Sequence, residues 1–239
     1  SITKILELRT QILGLHIKYL ELGIKVPGKE FSSLDYRLSL LLKTITKYNF
    51  INFIRIGSSL LVGDGNLSFT LSLVKKLQTS PALITSTYER YSDLSDIGKS
   101  NSILLKQAGI EIIHDLDATK LHKIFSKESF DTIIFQFPHS GSRDPIKGLN
   151  PNYVLVYDFV RSSSKVLRKD GVILITIVDN EFYNNIFRLE ELAEELKIPK
   201  PIKYKFHPRD YPEYEHTMTH QDGSGIENYK EFATWEFRV

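Results

Sequence analysis

The sequence predicts an α/β fold with a mostly parallel sheet, and two observations support this prediction. From Phe53 onward, short apolar runs of strand length alternate with amphipathic runs of helix length, which is the pattern of a parallel sheet covered by helices on both faces. The first apolar run, Leu60 to Val62, leads directly into Gly63 and Gly65. A glycine turn between a strand and a helix is typical of the first βα unit of a Rossmann-type sheet.

Two helical runs precede the alternating pattern. Apolar residues recur at helical spacing over residues 3–21 and again over residues 33–48. Both runs lie outside the alternation of strands and helices. Residues 1–52 are therefore predicted to form a helical N-terminal extension, and residues 53–239 the Rossmann-like domain.

The elements of the domain are read from apolar period and from the turn residues that separate them. After the first strand and its helix, strands are predicted at 82–88, 110–114, 131–137 and 172–178, helices at 94–107, 121–125, 152–167 and 181–196, and a closing hairpin from 203–206 and 230–239. Gly109 and Pro138 each end an element, and Lys169-Asp170-Gly171 is predicted as a turn.

Composition limits the classes of function. The chain has 239 residues, of which 41% are hydrophobic and 25% charged, as is ordinary for a globular α/β protein. It has no cysteine, which excludes disulfides, thiolate zinc sites and cysteine nucleophiles. The sequence shows neither an apolar run long enough to span a bilayer nor a secretory signal pattern. We expect no membrane partner and a cytoplasmic location, or a nucleolar one in a eukaryote.

Charge is unevenly distributed although the net charge is only +2. Residues 1–52 hold eight Lys or Arg against four Asp or Glu, whereas the remainder holds 23 against 25. A second basic run lies near the C-terminus and comprises Lys197, Lys200, Lys203, Lys205 and Arg209. These patches permit an RNA partner, and solvated surface explains them equally well.

Polar residues follow successive predicted strands, where open α/β sheets bind their ligands. Gly63 and Gly65 follow the first strand, and Glu89 follows the second, 24 residues after Gly65. Asp117 follows the third, with Asp115 two residues before it. This arrangement predicts a nucleotide-like cofactor, with Glu89 bonded to a ribose diol and the adenine beside Asp117. Helix capping is the alternative role of the two aspartates.

Several segments resemble the Rossmann-like domain of the large-subunit ribosomal RNA uridine-N3 methyltransferases. In chain order they are VGDGNLSFTLSL (62–73), TYE (87–89), DAT (117–119) and FQFPHSG (135–141), with a weaker pattern at 146–162 and YPEYEHTMT at 211–219. The resemblance covers roughly residues 57–239. It implies a class I methyltransferase dependent on S-adenosyl-L-methionine (SAM), with a seven-stranded, mostly parallel sheet whose last strand is antiparallel. Leu67, Gln136 and Glu213 depart from the family pattern, the last two on the substrate side.

The resemblance and the glycine turn together predict the cofactor-binding residues. They are Gly63, Asp64, Gly65, Asn66, Ser68, Phe69, Glu89, Asp117, Ala118 and Phe135. Asn66 or Ser68 is also expected to cap the helix that follows the turn. No metal is expected.

Methylation of an imide nitrogen requires removal of its proton, so the resemblance directs attention to possible bases. His139 and Asp179 are the candidates, because they follow the fourth and fifth strands. Gln136 carries both a donor and an acceptor and is predicted to read a uracil-like edge. If Gln136 does not do so, the segment at 211–219 is the expected alternative.

A second hypothesis is a Rossmann-fold protein that binds SAM or a related nucleotide and acts on a small molecule or serves as a binding module. The near-neutral charge favours this alternative, whereas the set of motifs favours an RNA methyltransferase. His216 and His220 stand four residues apart, but no carboxylate partner supports a zinc site. No G-x-S-x-G elbow is present, which argues against a hydrolase.

Overall fold

The computed structural model describes residue 54 and residues 57–77, 82–142, 144–216 and 225–239. The predicted helical extension, residues 1–52, lies outside the described residues, so this extension and its boundary at residue 53 stay predictions. The elements below belong to the described part of the chain.

Strands and helices alternate as the apolar pattern predicts. The strands are β1 (Ser59–Val62), β2 (Leu83–Ser86), β3 (Glu111–Ile113), β4 (Phe130–Gln136), β5 (Leu167–Val178), β6 (Ile202–Phe206) and β7 (Phe232–Arg238). The helices are α1 (Ser68–Leu77), α2 (Asp96–Gln107), α3 (Pro151–Ser163), α4 (Glu181–Phe187) and α5 (Leu189–Glu195), with 3-10 turns at Tyr91–Asp93, Ala118–Lys123 and Pro208–Asp210. None of the described helices is both long and apolar enough to cross a membrane.

The seven strands form one sheet in the order β3-β2-β1-β4-β5-β7-β6. Strands β1 to β5 pair in parallel, and β7 runs antiparallel to both β5 and β6. The prediction of a mostly parallel seven-stranded sheet with an antiparallel last strand is confirmed. The order reverses between β1 and β4, and ligands of open α/β sheets bind outside the carboxyl ends of the strands at such a switch point.

Both faces of the sheet are buried, and successive residues of β4 serve opposite faces. Ile133 and Phe135 belong to the cluster that α3 covers, together with Phe159. Ile134 belongs to the opposite cluster, together with Phe69 of α1. Because side chains alternate along a strand, Gln136 lies on the α1 side of the sheet, at the carboxyl end of β4.

Three of the differences between predicted and observed element boundaries have a clear physical reason. The predicted turn at 169–171 is a bulge inside β5, where pairing with β4 shifts register and Asp170 has a φ of 65°. The long helix before it ends at Ser163, because β5 begins at Leu167. The predicted helix at 181–196 is two helices, since Arg188 adopts a left-handed φ of 44° between them.

Candidate active site

The glycine turn after β1 contains two glycines in different environments. Gly63 has a φ of +65°, and a Cβ placed on it would lie 2.7 Å from Cε2 of Phe135. Its backbone conformation and its packing therefore both require glycine. A Cβ on Gly65 would meet no atom within 4 Å. The fold does not need glycine there, and the open space lets a ligand approach the backbone closely.

Asp64, between the two glycines, turns its carboxylate toward α1. Its Oδ2 accepts hydrogen bonds from Thr70 N (2.8 Å) and Thr70 Oγ1 (2.6 Å). Burial raises the pKa of the Asp64 carboxyl, and the Thr70 bonds only partly oppose that shift. Phe69 is fully buried, with its ring 4.9 Å from that of Tyr211. The side chains of Asp64 and Phe69 therefore pack inside the domain next to the turn. Their contact with a cofactor stays a prediction.

Asn66 and Ser68 hold a segment that is remote in sequence. Asn66 Oδ1 accepts from the N–H of Ser68, the first residue of α1 (3.1 Å), while Asn66 Nδ2 donates to the Glu215 carbonyl (2.9 Å). Ser68 Oγ donates to the same carbonyl and accepts from Glu215 N, both at 2.9 Å. Glu213 of this segment pairs with Lys75 Nζ at 3.3 Å. The sequence offered no signal for the contact between Ser68 and Glu215, which are 147 residues apart.

The ends of β2 and β3 lie side by side, as predicted. Asp115 N donates to the Glu89 carbonyl at 3.1 Å, and the Glu89 side chain is half-buried. The Asp117 carboxylate accepts from Thr119 N (2.9 Å) and pairs with Lys120 Nζ (2.6 Å). Burial opposes ionisation of Asp117, but bonds from Lys120 and Thr119 hold its pKa below the usual value. Asp117 thus caps the 3-10 turn that contains the buried Ala118. Glu89 caps none of the described helices.

At the end of β4 a buried amide lacks a partner. Phe135 packs its ring 5.1 Å from that of Phe159. Gln136 is only 7% exposed, and neither Oε1 nor Nε2 has a hydrogen-bond partner among the described residues. A buried polar group left unpaired costs about 1–3 kcal/mol. An orphaned amide beside the glycine turn therefore indicates a ligand that would pair with it.

Aromatic and imidazole rings surround this strand end. Phe137 stacks on Tyr214 (12° between planes, centroids 6.3 Å apart) and meets His216 edge to face at 5.4 Å. His139 is exposed, and its Nδ1 accepts from Gly141 N at 2.9 Å. Burial, and to a smaller extent the neighbouring His139, lower the pKa of His216 to about 4. The sequence pointed to His216 only as a possible metal ligand and as part of the 211–219 segment, and it did not indicate the contact with Phe137.

A cavity of about 1250 Å³ lies beside the glycine turn and has Asn66, Tyr214, His216 and Phe232 among its lining residues. Gly63, Gly65 and Glu89 do not line it. It is therefore adjacent to the predicted cofactor cleft and is large enough for an acceptor base. Tyr214 and His216, which line this cavity, belong to the YPEYEHTMT segment. Its resemblance to the family was the sequence signal for this part of the site.

Asp179 lies apart from that cavity. It lines a smaller pocket of about 260 Å³. Its Oδ1 pairs with Lys203 Nζ at 2.6 Å and accepts a longer bond from Asn184 Nδ2 at 3.4 Å. Its carboxylate faces Lys203 in the smaller pocket and does not line the 1250 Å³ cavity, so its position supports the role of base less well. The part of the chain that the structure describes holds no cluster of three or more potential metal ligands, and His220 lies outside it.

Comparison with known proteins adds to this geometry. Heavy metal-associated isoprenylated plant protein 41 of Arabidopsis thaliana is 30% identical over 164 residues, which are 65% of this chain and 32% of that protein. The chain thus spans about a third of that relative's length. A second Arabidopsis thaliana protein, named as uncharacterized, is 30% identical over 65% of this chain and 78% of its own.

A methyltransferase from Pyrococcus furiosus has a TM-score of 0.51 at 12% identity and covers 85% of this chain and 81% of its own, which shows the fold. The family model described as BMT5-like rRNA (uridine-N3-)-methyltransferase matches residues 60–218. This match confirms the resemblance inferred from the sequence. The chain belongs to the BMT5-like rRNA (uridine-N3-)-methyltransferase family, whose cofactor is SAM.

Proposed function

We propose that this protein methylates N3 of uridine in RNA, with ribosomal RNA as the substrate. The observation that supports this most directly is the buried amide of Gln136 at the carboxyl end of β4, for which the described residues provide no hydrogen-bond partner. Family membership supports the reaction class. A ribosomal RNA substrate would place the protein in the cytoplasm or, in a eukaryote, the nucleolus.

The residues of the cleft fit SAM. The open space over Gly65 would admit the methionine half close to the backbone, and Glu89 would accept hydrogen bonds from the ribose hydroxyls. Ala118 and Phe135, which belong to one apolar cluster, would provide apolar surface for the cofactor. When bound, the cofactor supplies an electrophilic methyl group, so the protein's task is to position the acceptor and exclude water.

The acceptor side suits a uracil-like ring. Such a ring presents one N–H between two carbonyl groups. Before the N3 proton is removed, the Gln136 amide can pair with a carbonyl through Nε2 and with the N–H through Oε1. This pairing would satisfy both orphaned atoms at once. Phe137 and Tyr214 provide aromatic surface for a base in the adjoining cavity.

Proton removal from N3 must involve a group near this ring. His139 stays the predicted base, but its Nδ1 accepts the Gly141 N–H, so the neutral ring carries its proton on Nε2. To act as a base, His139 must give up the Gly141 bond. While the Gly141 bond is kept, the neutral His139 ring can donate a hydrogen bond from Nε2 but cannot take up a proton at Nδ1.

The proposal is tested by incubating the protein with SAM and RNA and analysing the released nucleosides by mass spectrometry. N3-methyluridine in digests of treated RNA is the expected product. SAM binding by calorimetry without any methylated nucleoside would refute RNA as the substrate.

That outcome would favour the second candidate, a SAM-binding protein that acts on a small molecule or serves as a binding module. One structural observation favours it. Two lysines of the C-terminal basic run are ion-paired, Lys200 with Glu190 at 2.7 Å and Lys203 with Asp179 at 2.6 Å. The run is therefore less available to RNA phosphates than its sequence indicates.

A further inference from the structure

We propose that His216 donates a hydrogen bond to a carbonyl oxygen of the acceptor base and that Ser68 and Asn66 act as its positioning residues. This inference rests on the proposed function, because it names a group that contacts the same acceptor. It assigns to two residues of the cofactor turn a role on the acceptor side.

The first step of the argument is the position of the His216 ring. The backbone of the preceding residue, Glu215, is held by three hydrogen bonds of 2.9 Å, two to Ser68 Oγ and one from Asn66 Nδ2. The ring itself stands edge to face on Phe137 at 5.4 Å and lines the 1250 Å³ cavity. His216 is thus fixed beside the end of β4.

The second step is the tautomer. Gly225 N donates to His216 Nδ1 at 3.4 Å. An amide N–H can only donate, so Nδ1 carries the lone pair and the neutral ring holds its proton on Nε2. Among the described residues His216 makes no other hydrogen bond. No described residue therefore competes with a molecule in the cavity for its Nε2–H.

The third step is the charge of the ring. Burial and the neighbouring His139 keep the pKa of His216 far below neutrality, so the ring is an uncharged donor at pH 7. The other titratable groups that line the cavity are Asp96, His207, Arg209, Tyr214, Glu215, Glu227, Tyr229 and Lys230.

The final step is chemical. When the imide loses its proton to a base or to solvent, the electron pair of the N–H bond stays on the ring, and the negative charge spreads to both carbonyl oxygens. A fixed donor on one of these oxygens binds the anion more strongly than the neutral base and so favours its formation. His216 keeps its own proton throughout, and a neutral imidazole suits this role.

The first test needs no activity. In protein labelled with 15N-histidine, the ring nitrogens of His216, assigned by their loss in His216→Gln, should show a neutral Nε2–H tautomer from pH 8 to about pH 5. A ring that titrates near its ordinary pKa of about 6.5, or one protonated on Nδ1, would overturn the inference.

The second test compares two substitutions in single-turnover transfer to RNA. His216→Phe keeps a ring but removes the donor, and we expect transfer to fall about 100-fold, the usual effect of losing one such donor. His216→Gln restores an N–H at similar reach and should recover most of the rate. SAM affinity and melting temperature should stay near wild type. Unchanged transfer by folded His216→Phe, or no recovery by folded His216→Gln, would refute the role.

The third test addresses positioning. Ser68→Ala removes two of the bonds to Glu215 and should raise KM for RNA and slow transfer, while Ser68→Thr, which keeps the hydroxyl, restores both. Ser102→Ala is the matched control, because Ser102 is also buried on a helix but its Oγ has no partner among the described residues. Equal transfer by Ser68→Ala and Ser102→Ala would exclude the positioning role.

These outcomes separate the two proposals. If the wild-type protein yields no methylated nucleoside from RNA, the proposed function fails, and the NMR result still decides whether His216 is the donor described here. If wild-type transfer is normal and the His216 substitutions leave it unchanged, only the inference about His216 fails.

Discussion

Substitution of Gly63 should lower the stability of the fold, whereas substitution of Gly65 should mainly weaken ligand binding. The φ of +65° at Gly63 is a left-handed conformation that costs other residues about 1–2 kcal/mol. A Cβ on Gly63 would also lie 2.7 Å from Phe135 Cε2, and overpacking of this kind costs about 1–3 kcal/mol. Gly63→Ala should therefore lower the free energy of unfolding by about 2–5 kcal/mol.

Gly65→Val should act on the ligand instead. A Cβ there meets no atom within 4 Å, and the backbone is outside the left-handed region. The free energy of unfolding should change by less than about 0.5 kcal/mol. The branched side chain would nevertheless occupy the space through which SAM reaches the backbone, so SAM affinity should fall at least tenfold, which corresponds to about 1.4 kcal/mol.

Urea unfolding and calorimetry with SAM, on the same preparations, test both expectations. Gly148→Ala is a useful control, because Gly148 has a φ of +81° but open space around its Cβ position. It should show the conformational cost alone, about 1–2 kcal/mol. Folded Gly65→Val that binds SAM normally would show that the turn does not hold the cofactor. Gly63→Ala no less stable than Gly148→Ala would refute the packing argument.

Three further predictions concern the cleft, the acceptor site and pH. Glu89→Ala should weaken SAM binding at least tenfold in calorimetry without lowering the melting temperature, because a charge-assisted bond contributes about 1.5–3 kcal/mol; unchanged affinity would make Glu89 a solvated residue. Gln136→Leu should raise the free energy of unfolding by about 1–3 kcal/mol, because it removes an unpaired buried amide. Methyl transfer should at the same time fall about 100-fold. A loss of stability would show that the amide is paired. The pKa of His216 is lowered to about 4 in the folded protein. Below pH 6.5 the folded protein therefore binds fewer protons at His216 than the unfolded chain does. About 3 kcal/mol of stability should be lost as pH falls from 6.5 to 4. His216→Gln should lack that part of the pH dependence in urea unfolding, and identical pH profiles would contradict it.

The class of fold and the edge of the sheet where ligands bind could both be predicted from the amino-acid sequence. Apolar period and turn residues are local properties, so they identified the alternating strands and helices and placed Glu89 and Asp117 after neighbouring strands. Where a boundary was wrong, packing had overridden the local signal. The turn residues at 169–171 became a bulge because β5 continues its pairing with β4 beyond them.

The partners of the polar side chains were decided only by the tertiary structure. Ser68 appeared in the sequence as a cap in a cofactor turn, but its hydroxyl also binds Glu215, 147 residues away. The sequence showed Gln136 as a polar residue at the end of a strand. Only the packing of both sheet faces buries its amide away from any partner among the described residues. His216 acquired its tautomer from the backbone of Gly225. Local pattern fixes none of these, because each is set by which distant groups the folded chain brings within hydrogen-bond distance.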